Sequence, residues 1–301
     1  MTTEIAFTLS IVFVVIGQML NAIVVLLDKH IVTNTSVTRP SVYAFYVGLV
    51  SSFVLIMLPF GVVGFPSREV LMLSIDIGFV FILSIIFLYR ALKHANTTDV
   101  VAWLTAISAL TTFIFGAIFL NEELPATFPF AMILFIVGIL LVGHFRFYAR
   151  SFLQVLGAGI LFGLSAVLIK ILFSETTFAD GFFYSLMGNV FGALALLLLP
   201  SIRNSVFHIT KNTGSKTGAL IVANRILGGL AFLCILYAIN LGSVSIINAL
   251  SSLQFVFVFL MIFLLSKKVP ELYSHEFRPG HILHKIIAMC FIVAGFFILF
   301  I

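Results

Sequence analysis

The chain has 301 residues, of which 62% are hydrophobic and only 9% are charged. A soluble domain typically carries about 25% charged residues, so this chain has too few charges to cover a surface that faces water. The composition therefore excludes a soluble globular protein and predicts an integral membrane protein. The net charge of +5 bears on membrane topology, because no separate basic domain exists that could hold nucleic acid.

Apolar segments of membrane length follow one another along the chain. A bilayer core needs about 20 apolar residues per helix, and β-barrel segments would be half as long and alternate in hydrophobicity. The predicted fold class is all-α, with ten transmembrane helices. In chain order the segments are Phe7–Leu27, Val42–Val63, Val70–Leu92, Val100–Leu120, Phe128–Phe145, Phe152–Phe173, Phe182–Leu199, Ala219–Ile239, Val244–Leu265 and Ile282–Ile301.

The second half of the chain is a diverged copy of the first. Three scarce residue types align at one offset of 141 residues: Lys29 with Lys170, Tyr43 with Tyr184, and Pro59 with Pro200. Tyr89 aligns with Tyr237 at an offset of 148. Each copy, 1–147 and 148–301, holds five segments, and because five is odd the copies must be inverted in the membrane. Inverted repeats around a midplane site are a frequent build of secondary transporters.

Lysine and arginine lie mostly on one side of the predicted membrane. The connections after segments 1, 3, 5, 7 and 9 hold 13 of the 16 positive side chains. By the positive-inside rule this side is cytoplasmic, so both termini face away from the cytoplasm.

The region from Tyr89 to Gly143 resembles the EamA-type repeat of the drug/metabolite transporter superfamily. It has an Ala-Leu pair closing segment 3, the turn "ANTTD", a leucine that ends segment 4, Glu122, and then Gly138 within segment 5. The resemblance implies a carrier that works by alternating access, with a cavity lined by segments 1, 3, 4, 6, 8 and 9. It also implies export of amino acids, related metabolites or toxic compounds across the plasma membrane. The family usually keeps its termini in the cytoplasm, against the charge count.

Polar residues inside the segments supply the candidates for a substrate site, because intramembrane polarity usually faces the bundle interior or a water-filled cavity. Hydrogen bonding between helices is the alternative role for each of them. Asp76 is also a candidate proton carrier, and Trp103 is also a candidate interfacial anchor. The substrate-binding candidates are Gln18, Asn21, Asp76, Trp103, Asn224, Arg225, Tyr237 and Asn248.

Arg225 stands about two turns into segment 8 as a permanent positive charge. Two roles are open: its guanidinium binds an anionic group of the solute, or it reaches the nearby interface. Lys29 and Lys170 sit near the C-terminal ends of segments 1 and 6, where the helix dipole favours a cation. Glu122 lies in the turn before segment 5, where the helix dipole favours a carboxylate. These three charges are predicted to be structural or to act in gating.

No enzymatic signature is present: the sequence has no HExxH, phosphate-binding loop or GxSxG motif, and neither a metal nor a cofactor is predicted. The predicted function is secondary transport of a small organic solute by a protein embedded in the lipid bilayer. The alternative is a membrane protein that does not transport, such as a lipid-binding or scaffolding subunit. Monomer and dimer both remain open.

Overall fold

The computed structural model describes residues 3–142 except 36, 38 and 123, together with 149–212, 214–266 and 282–298. These residues form α-helices and short 3₁₀ turns, without a β-strand. The helices are α1 (Thr3–Asn34), α2 (Pro40–Val50), α3 (Arg68–His94), α4 (Thr97–Phe119), α5 (Phe128–Val142), α6 (Ala149–Glu175), α7 (Phe178–Ala195), α8 (Pro200–Asn212), α9 (Ser215–Leu241), α10 (Val244–Ala249), α11 (Leu253–Ser266) and α12 (Ile282–Ile298).

Eight helical stretches of the described residues are long and apolar enough to cross a membrane. They are α1, α2 with the 3₁₀ turns that extend it to Phe60, α3, α4, α6, α7 with its 3₁₀ turn, α9, and α10 joined to α11. They match predicted segments 1–4 and 6–9. The prediction of an all-helical, multi-pass membrane protein is therefore confirmed.

Segments 5 and 10 correspond to shorter apolar helices, Phe128–Gly138 within α5 and Ile286–Gly295 within α12. The ends of both predicted segments, at 143–145 and 299–301, lie outside the described residues. The two helices pack along one another. A Cβ added at Gly138 would lie 2.9 Å from the carbonyl oxygen of Ala288, and one added at Gly295 would lie 3.0 Å from that of Ala131. The glycines therefore allow a close antiparallel contact.

Helix ends are set by local sequence. The hydroxyl of Ser67 accepts a hydrogen bond from the backbone N–H of Val70 at 3.2 Å and caps the N-terminus of α3. Thr177 caps α7 in the same way. The extension of α2 ends at Gly61, whose φ of +64° is a left-handed conformation that glycine adopts at low cost.

One helix was not predicted. The amphipathic helix α8 lies between segments 7 and 8, in the connection that the charge count places on the positive side. Its Val206 is buried while Arg203 and Phe207 are exposed. Arg39, just before α2, donates a hydrogen bond to Ser205 and ties α8 to the bundle.

Packing around the bundle is uneven. Helix α3 lies along both α6 and α7, and α9 lies along α1, but α9 meets α2 at few positions. Between α3 and α7 the backbones touch, because a Cβ added at Gly78 would lie 1.9 Å from the carbonyl oxygen of Gly188. Between the 3₁₀ extension of α2 and α9, by contrast, a Cβ added at Gly229 would lie 3.6 Å from the ring of Phe53, an ordinary contact. The α3–α7 contact is therefore sealed, and the α2–α9 contact is loose.

The sealed contact gives a stability prediction. Gly78→Ala should destabilise the protein by about 1–3 kcal/mol, because the added methyl group has no room between two touching backbones. Gly218→Ala on α9, where a Cβ would meet nothing within 4 Å, should be neutral or stabilising, since alanine favours helix by up to about 1 kcal/mol. Thermal unfolding in detergent measures both, and equal effects would contradict the close-packing argument.

Candidate functional site

A cavity of about 260 Å³ lies in the middle of the bundle, between helices from both halves of the chain. Most of its wall is aliphatic and aromatic. It is bordered by α1, α2, α3, α4, α6, α7, α9, α10 and α11. Helices α2 and α7, which correspond to segments 2 and 7, were not among the segments expected to line the cavity. Its polar lining residues are Gln18, Asn21, Asp28, Ser51, Tyr89, Thr105, Ser108, Ser165, Asn189, Arg225, Asn248, Ser251 and Gln254.

Four of the eight predicted substrate-binding residues line this cavity: Gln18, Asn21, Arg225 and Asn248. They come from three helices, α1, α9 and α10. The amide nitrogen of Asn248 donates to Ser108 Oγ at 2.9 Å and to the Ser108 carbonyl at 3.2 Å, which fastens α10 to α4. The structure thus brings these four polar side chains, which come from distant segments, to one cavity.

Three predicted residues lie away from the cavity. Asp76 is exposed on the outer face of α3, because its neighbours Ile77 and Gly78 take the inner face. Trp103 is half-buried against the ring of Phe152, with centroids 5.5 Å apart. Tyr237 lies between two phenylalanine rings, at 4.8 Å from Phe13 and 5.3 Å from Phe178. The sequence places these residues within apolar segments, but it does not show which face of the helix each one occupies.

Arg225 is buried in the bundle and does not take the second role predicted for it, in which it reaches the interface. Its guanidinium forms an ion pair with the carboxylate of Asp28 on α1, and both side chains are nearly excluded from solvent. It also donates to the hydroxyl of Tyr43 at 2.9 Å and stands 5.2 Å from the centre of that ring. The expectation that it reaches the interface was wrong, because the sequence does not indicate that a carboxylate 197 residues away lies beside it. Binding of an anionic group of the solute stays a prediction.

The carboxylate of Asp28 accepts two further hydrogen bonds. Its Oδ1 accepts from the Tyr43 hydroxyl at 2.5 Å and from the amide nitrogen of Asn224 at 2.7 Å. Tyr89 accepts from Arg225 Nη1 at 3.4 Å, and its ring lies 4.6 Å from that of Tyr43. Asn224 therefore belongs to this network behind the cavity wall and is not a lining residue. We call Asp28, Tyr43, Tyr89, Asn224 and Arg225 the ion-pair network. It joins α1, α2, α3 and α9.

Sequence reasoning missed Asp28, Tyr43 and Tyr89 as site residues. Two signals were available. Asp28 shares the polar stripe of α1 with Gln18 and Asn21, and a buried arginine in a chain with four aspartates needs one of them as a partner. Asn189 on α7, which is 1% exposed and lines the cavity, was also missed.

Lys29 and Lys170 donate hydrogen bonds to the C-terminal ends of neighbouring helices. The ammonium of Lys170 donates to the carbonyl oxygens of Ile239 at 2.8 Å and Gly242 at 2.7 Å, at the end of α9. That of Lys29 donates to the carbonyls of Leu92 and Ala95 at the end of α3, the latter at 3.0 Å. A cation is favoured there because the terminal carbonyls lack helical partners. Each lysine thus caps another helix.

Glu122 caps a different helix from the predicted one. Its carboxylate accepts from the backbone N–H groups of Val244 at 2.7 Å and Ser245 at 3.1 Å, and from the hydroxyl of Ser243 at 2.9 Å. These groups form the N-terminus of α10, whereas the sequence position suggested α5. Charge–dipole attraction holds in both cases, but only the fold decides which helix end lies within reach.

Among the described residues, no group of three or more His, Cys, Asp or Glu side chains could hold a metal ion.

Comparison with known proteins gives the fold alone. No family model and no curated protein matches the chain. A solved structure described only as "Crystal structure of protein" aligns with 98% of this chain and 96% of its own, with a TM-score of 0.60 and 18% sequence identity. A shared fold at this identity does not carry a function with it.

The ion-pair network gives a second prediction. Asp28→Leu and Arg225→Met should each destabilise the protein by about 3–5 kcal/mol, because each leaves one buried charge without its partner. The double variant should recover most of that loss, since it removes both charges together. Thermal unfolding in detergent is measured for the unchanged protein, the two single variants and the double variant, which together form a double-mutant cycle. Losses that simply add in the double variant would contradict a coupled pair.

Proposed function

We propose that the chain is a secondary transporter of the drug/metabolite transporter type, built from two inverted five-helix repeats, 1–147 and 148–301. It moves a small organic solute, such as an amino acid, a related metabolite or a toxic compound, out of the cell across the plasma membrane. The observation that carries this proposal is the cavity in mid-bundle, where polar side chains of both halves meet inside an apolar wall. A transporter needs such a site at the interface of its repeats.

The lysine caps support the repeat. Lys29 and Lys170 align at an offset of 141 residues, and the carbonyls that they bind occupy the same places at two helix ends. Ala95 and Gly242 are the residues that follow α3 and α9, and Leu92 and Ile239 lie three residues before them. The same contact therefore occurs once in each half. An accidental alignment of two lysines would not predict that their acceptors also align.

The paired glycines support it as well. Gly138 of α5 and Gly295 of α12 occupy similar places in the short motifs "FIVG" and "FIVAG", and each packs against the other's helix. A reciprocal contact of this kind is expected between equivalent helices of two repeats related by a two-fold axis.

The uneven packing supports alternating access. In the proposed repeat, α7 is the counterpart of α2, and α9 is the counterpart of α3. The α3–α7 and α9–α2 contacts are then equivalent by symmetry, yet the first is sealed by glycine backbones and the second is loose. Two equivalent contacts in different states are what a carrier needs, because exchanging the states would move access from one side to the other.

Transport is tested with the purified chain in liposomes. Saturable counterflow of at least one solute, from a panel of amino acids, related metabolites and toxic organic compounds, is the expected result. If no solute crosses while a lipid or protein partner co-purifies, the chain is a binding or scaffolding subunit and the proposal fails.

Gly228→Leu tests whether flux passes through the cavity. Gly228 lines the cavity, and a Cβ there would make ordinary contacts of 3.7 Å and more, so leucine should fill the space and abolish flux while the protein still folds. Gly218→Leu is the matched control on the same helix, where a Cβ meets nothing within 4 Å. Flux that survives Gly228→Leu would place the pathway elsewhere.

Orientation is a further part of the proposal, with the side that carries the excess of lysine and arginine in the cytoplasm. Cysteines at Asn204 and Ser215, both exposed, should then resist a membrane-impermeant thiol reagent in intact cells. A cysteine at Phe65, which is exposed and which the proposed topology places on the opposite side, should react. The background carries Cys234→Ala and Cys290→Ala. The reverse pattern would favour the orientation usual in the drug/metabolite transporter superfamily, with the termini in the cytoplasm.

A further inference from the structure

Phe53 belongs both to the wall of the cavity and to the outer surface of the bundle. It lines the cavity, yet 49% of its surface is exposed, and among the described lining residues it is the one that is exposed. The other phenylalanines of the wall, Phe81, Phe162 and Phe232, are half-buried. The cavity therefore approaches the outside of the bundle most closely at Phe53.

Gly229 of α9 faces the ring of Phe53 across the gap between α9 and the 3₁₀ extension of α2. A Cβ added at Gly229 would lie 3.6 and 3.7 Å from two ring atoms of Phe53, and among the described residues it would meet no other part of the bundle within 4 Å. Gly228, the preceding residue, lines the cavity as Gly229 does. A single phenyl ring therefore stands between the cavity and the outside. We call this pair, Phe53 and Gly229, the lateral window.

The lateral window lies at the depth of the hydrocarbon core. Gly229 is near the middle of α9, fourteen residues after its first residue and twelve before its last. Either end is thus roughly 20 Å away along the helix, and the hydrocarbon core is about 30 Å thick. The exposed side chains around the window are apolar: Ile56 on the extension of α2, and Ile226 and Leu230 on α9. The window therefore opens to lipid, whereas a mouth at either end of the bundle would open to water.

The segment that carries Phe53 is more easily deformed than an α-helix. From Ser51 to Phe60 the chain forms a 3₁₀ helix of ten residues, which includes Pro59. Such helices seldom run beyond about four residues, because their hydrogen bonds have poorer geometry. In the proposed repeat the counterpart of this extension lies in α7, which stays α-helical to Ala195 and then has a 3₁₀ turn of three residues. A small movement of the extension would carry the Phe53 ring away from α9 and open the window.

An aromatic surface leads inward from the lateral window. Phe232 follows Gly229 by three residues, almost one turn of α9. The ring of Phe81 on α3 lies 5.9 Å from that of Phe232 and 6.0 Å from that of Phe162 on α6, and all three rings line the cavity. Rings at these distances form a continuous aromatic surface. A compound that passes Phe53 therefore stays in contact with apolar side chains as it enters.

Resting on the proposed function, we propose that solutes enter the cavity sideways from the bilayer, through the lateral window, and that they are small lipid-soluble organic compounds. Charged and strongly polar solutes do not take this route, because dissolving a charge or an unpaired polar group in hydrocarbon is costly. A cavity of about 260 Å³ is too small for a phospholipid with two acyl chains, so the lipids of the bilayer are not the solute. Among the solutes of the proposed function, toxic organic compounds meet these conditions.

Entry is tested with the full chain in lipid nanodiscs and a single tryptophan inside the cavity. Trp103→Phe removes the one native tryptophan, and Phe162→Trp places the reporter at the last of the three rings counted from the window. The probe is ω-bromoundecanol, which dissolves in lipid and whose bromine quenches tryptophan on contact. Phosphatidylcholine with brominated acyl chains, at equal bromine content, gives the quenching from the bilayer outside. Bromoundecanol should quench the reporter more strongly than this phospholipid does.

Two variants change the width of the lateral window in opposite directions, and stopped-flow fluorescence measures the rate of quenching. Gly229→Leu narrows the window and should slow quenching by about tenfold or more; the protein should still fold, because a Cβ at this position makes only ordinary contacts. Phe53→Ala removes the ring and should speed quenching. Gly218→Leu is the matched control on α9, where a Cβ would meet nothing within 4 Å, and it should leave the rate unchanged.

Three results would overturn the proposal: quenching no stronger than that by the brominated phospholipid, a rate that Gly229→Leu and Phe53→Ala leave unchanged, or equal slowing by Gly218→Leu and Gly229→Leu. Failure of transport is separable from these. If water-soluble solutes show saturable flux that Gly228→Leu blocks, while Gly229→Leu leaves the entry of bromoundecanol unchanged, transport stands and lateral entry falls. If bromoundecanol enters as expected but no solute crosses, lateral entry stands and transport falls.

Discussion

The ion pair between Asp28 and Arg225 is the interaction on which the arrangement of the bundle depends. Both charges are removed from water, which costs several kcal/mol for each ion, and hydrogen bonds from neighbouring side chains offset part of that cost. Tyr43 and Asn224 donate to the carboxylate, and Tyr43 and Tyr89 accept from the guanidinium. One buried pair thereby ties α1, α2 and α3 of the first half to α9 of the second.

The same pair determines the chemistry of the space beside it. Had Arg225 been unpaired, the cavity would carry a positive charge and would favour anions. Because Asp28 neutralises it, the remaining polar groups of the cavity wall are uncharged, among them the amides of Gln18, Asn189 and Asn248. Aliphatic and aromatic side chains form most of the cavity wall.

Other charges of the chain hold helix ends, where backbone groups lack helical partners. Lys29 and Lys170 bind terminal carbonyls of α3 and α9, and Glu122 binds the N-terminal amides of α10. The cation lies at the negative end of each dipole and the carboxylate at the positive end. These contacts connect helices that are distant in sequence. The glycines of α3 and α7 act differently: because they have no side chains, the backbones of the two helices can come into contact.

The amino-acid sequence was enough to predict the membrane class, the places of the eight long apolar helices, and which polar residues lie within them. Composition and segment length are enough for this, because a bilayer demands long apolar helices whatever they pack against. The sequence also aligned Lys29 with Lys170. Only the tertiary structure decided that Arg225 meets Asp28, that Asp76 faces outward, and that Glu122 caps α10. Each of these depends on how a helix is rotated and on which distant helix lies beside it, and a uniformly apolar segment carries almost no amphipathic pattern from which that rotation could be predicted.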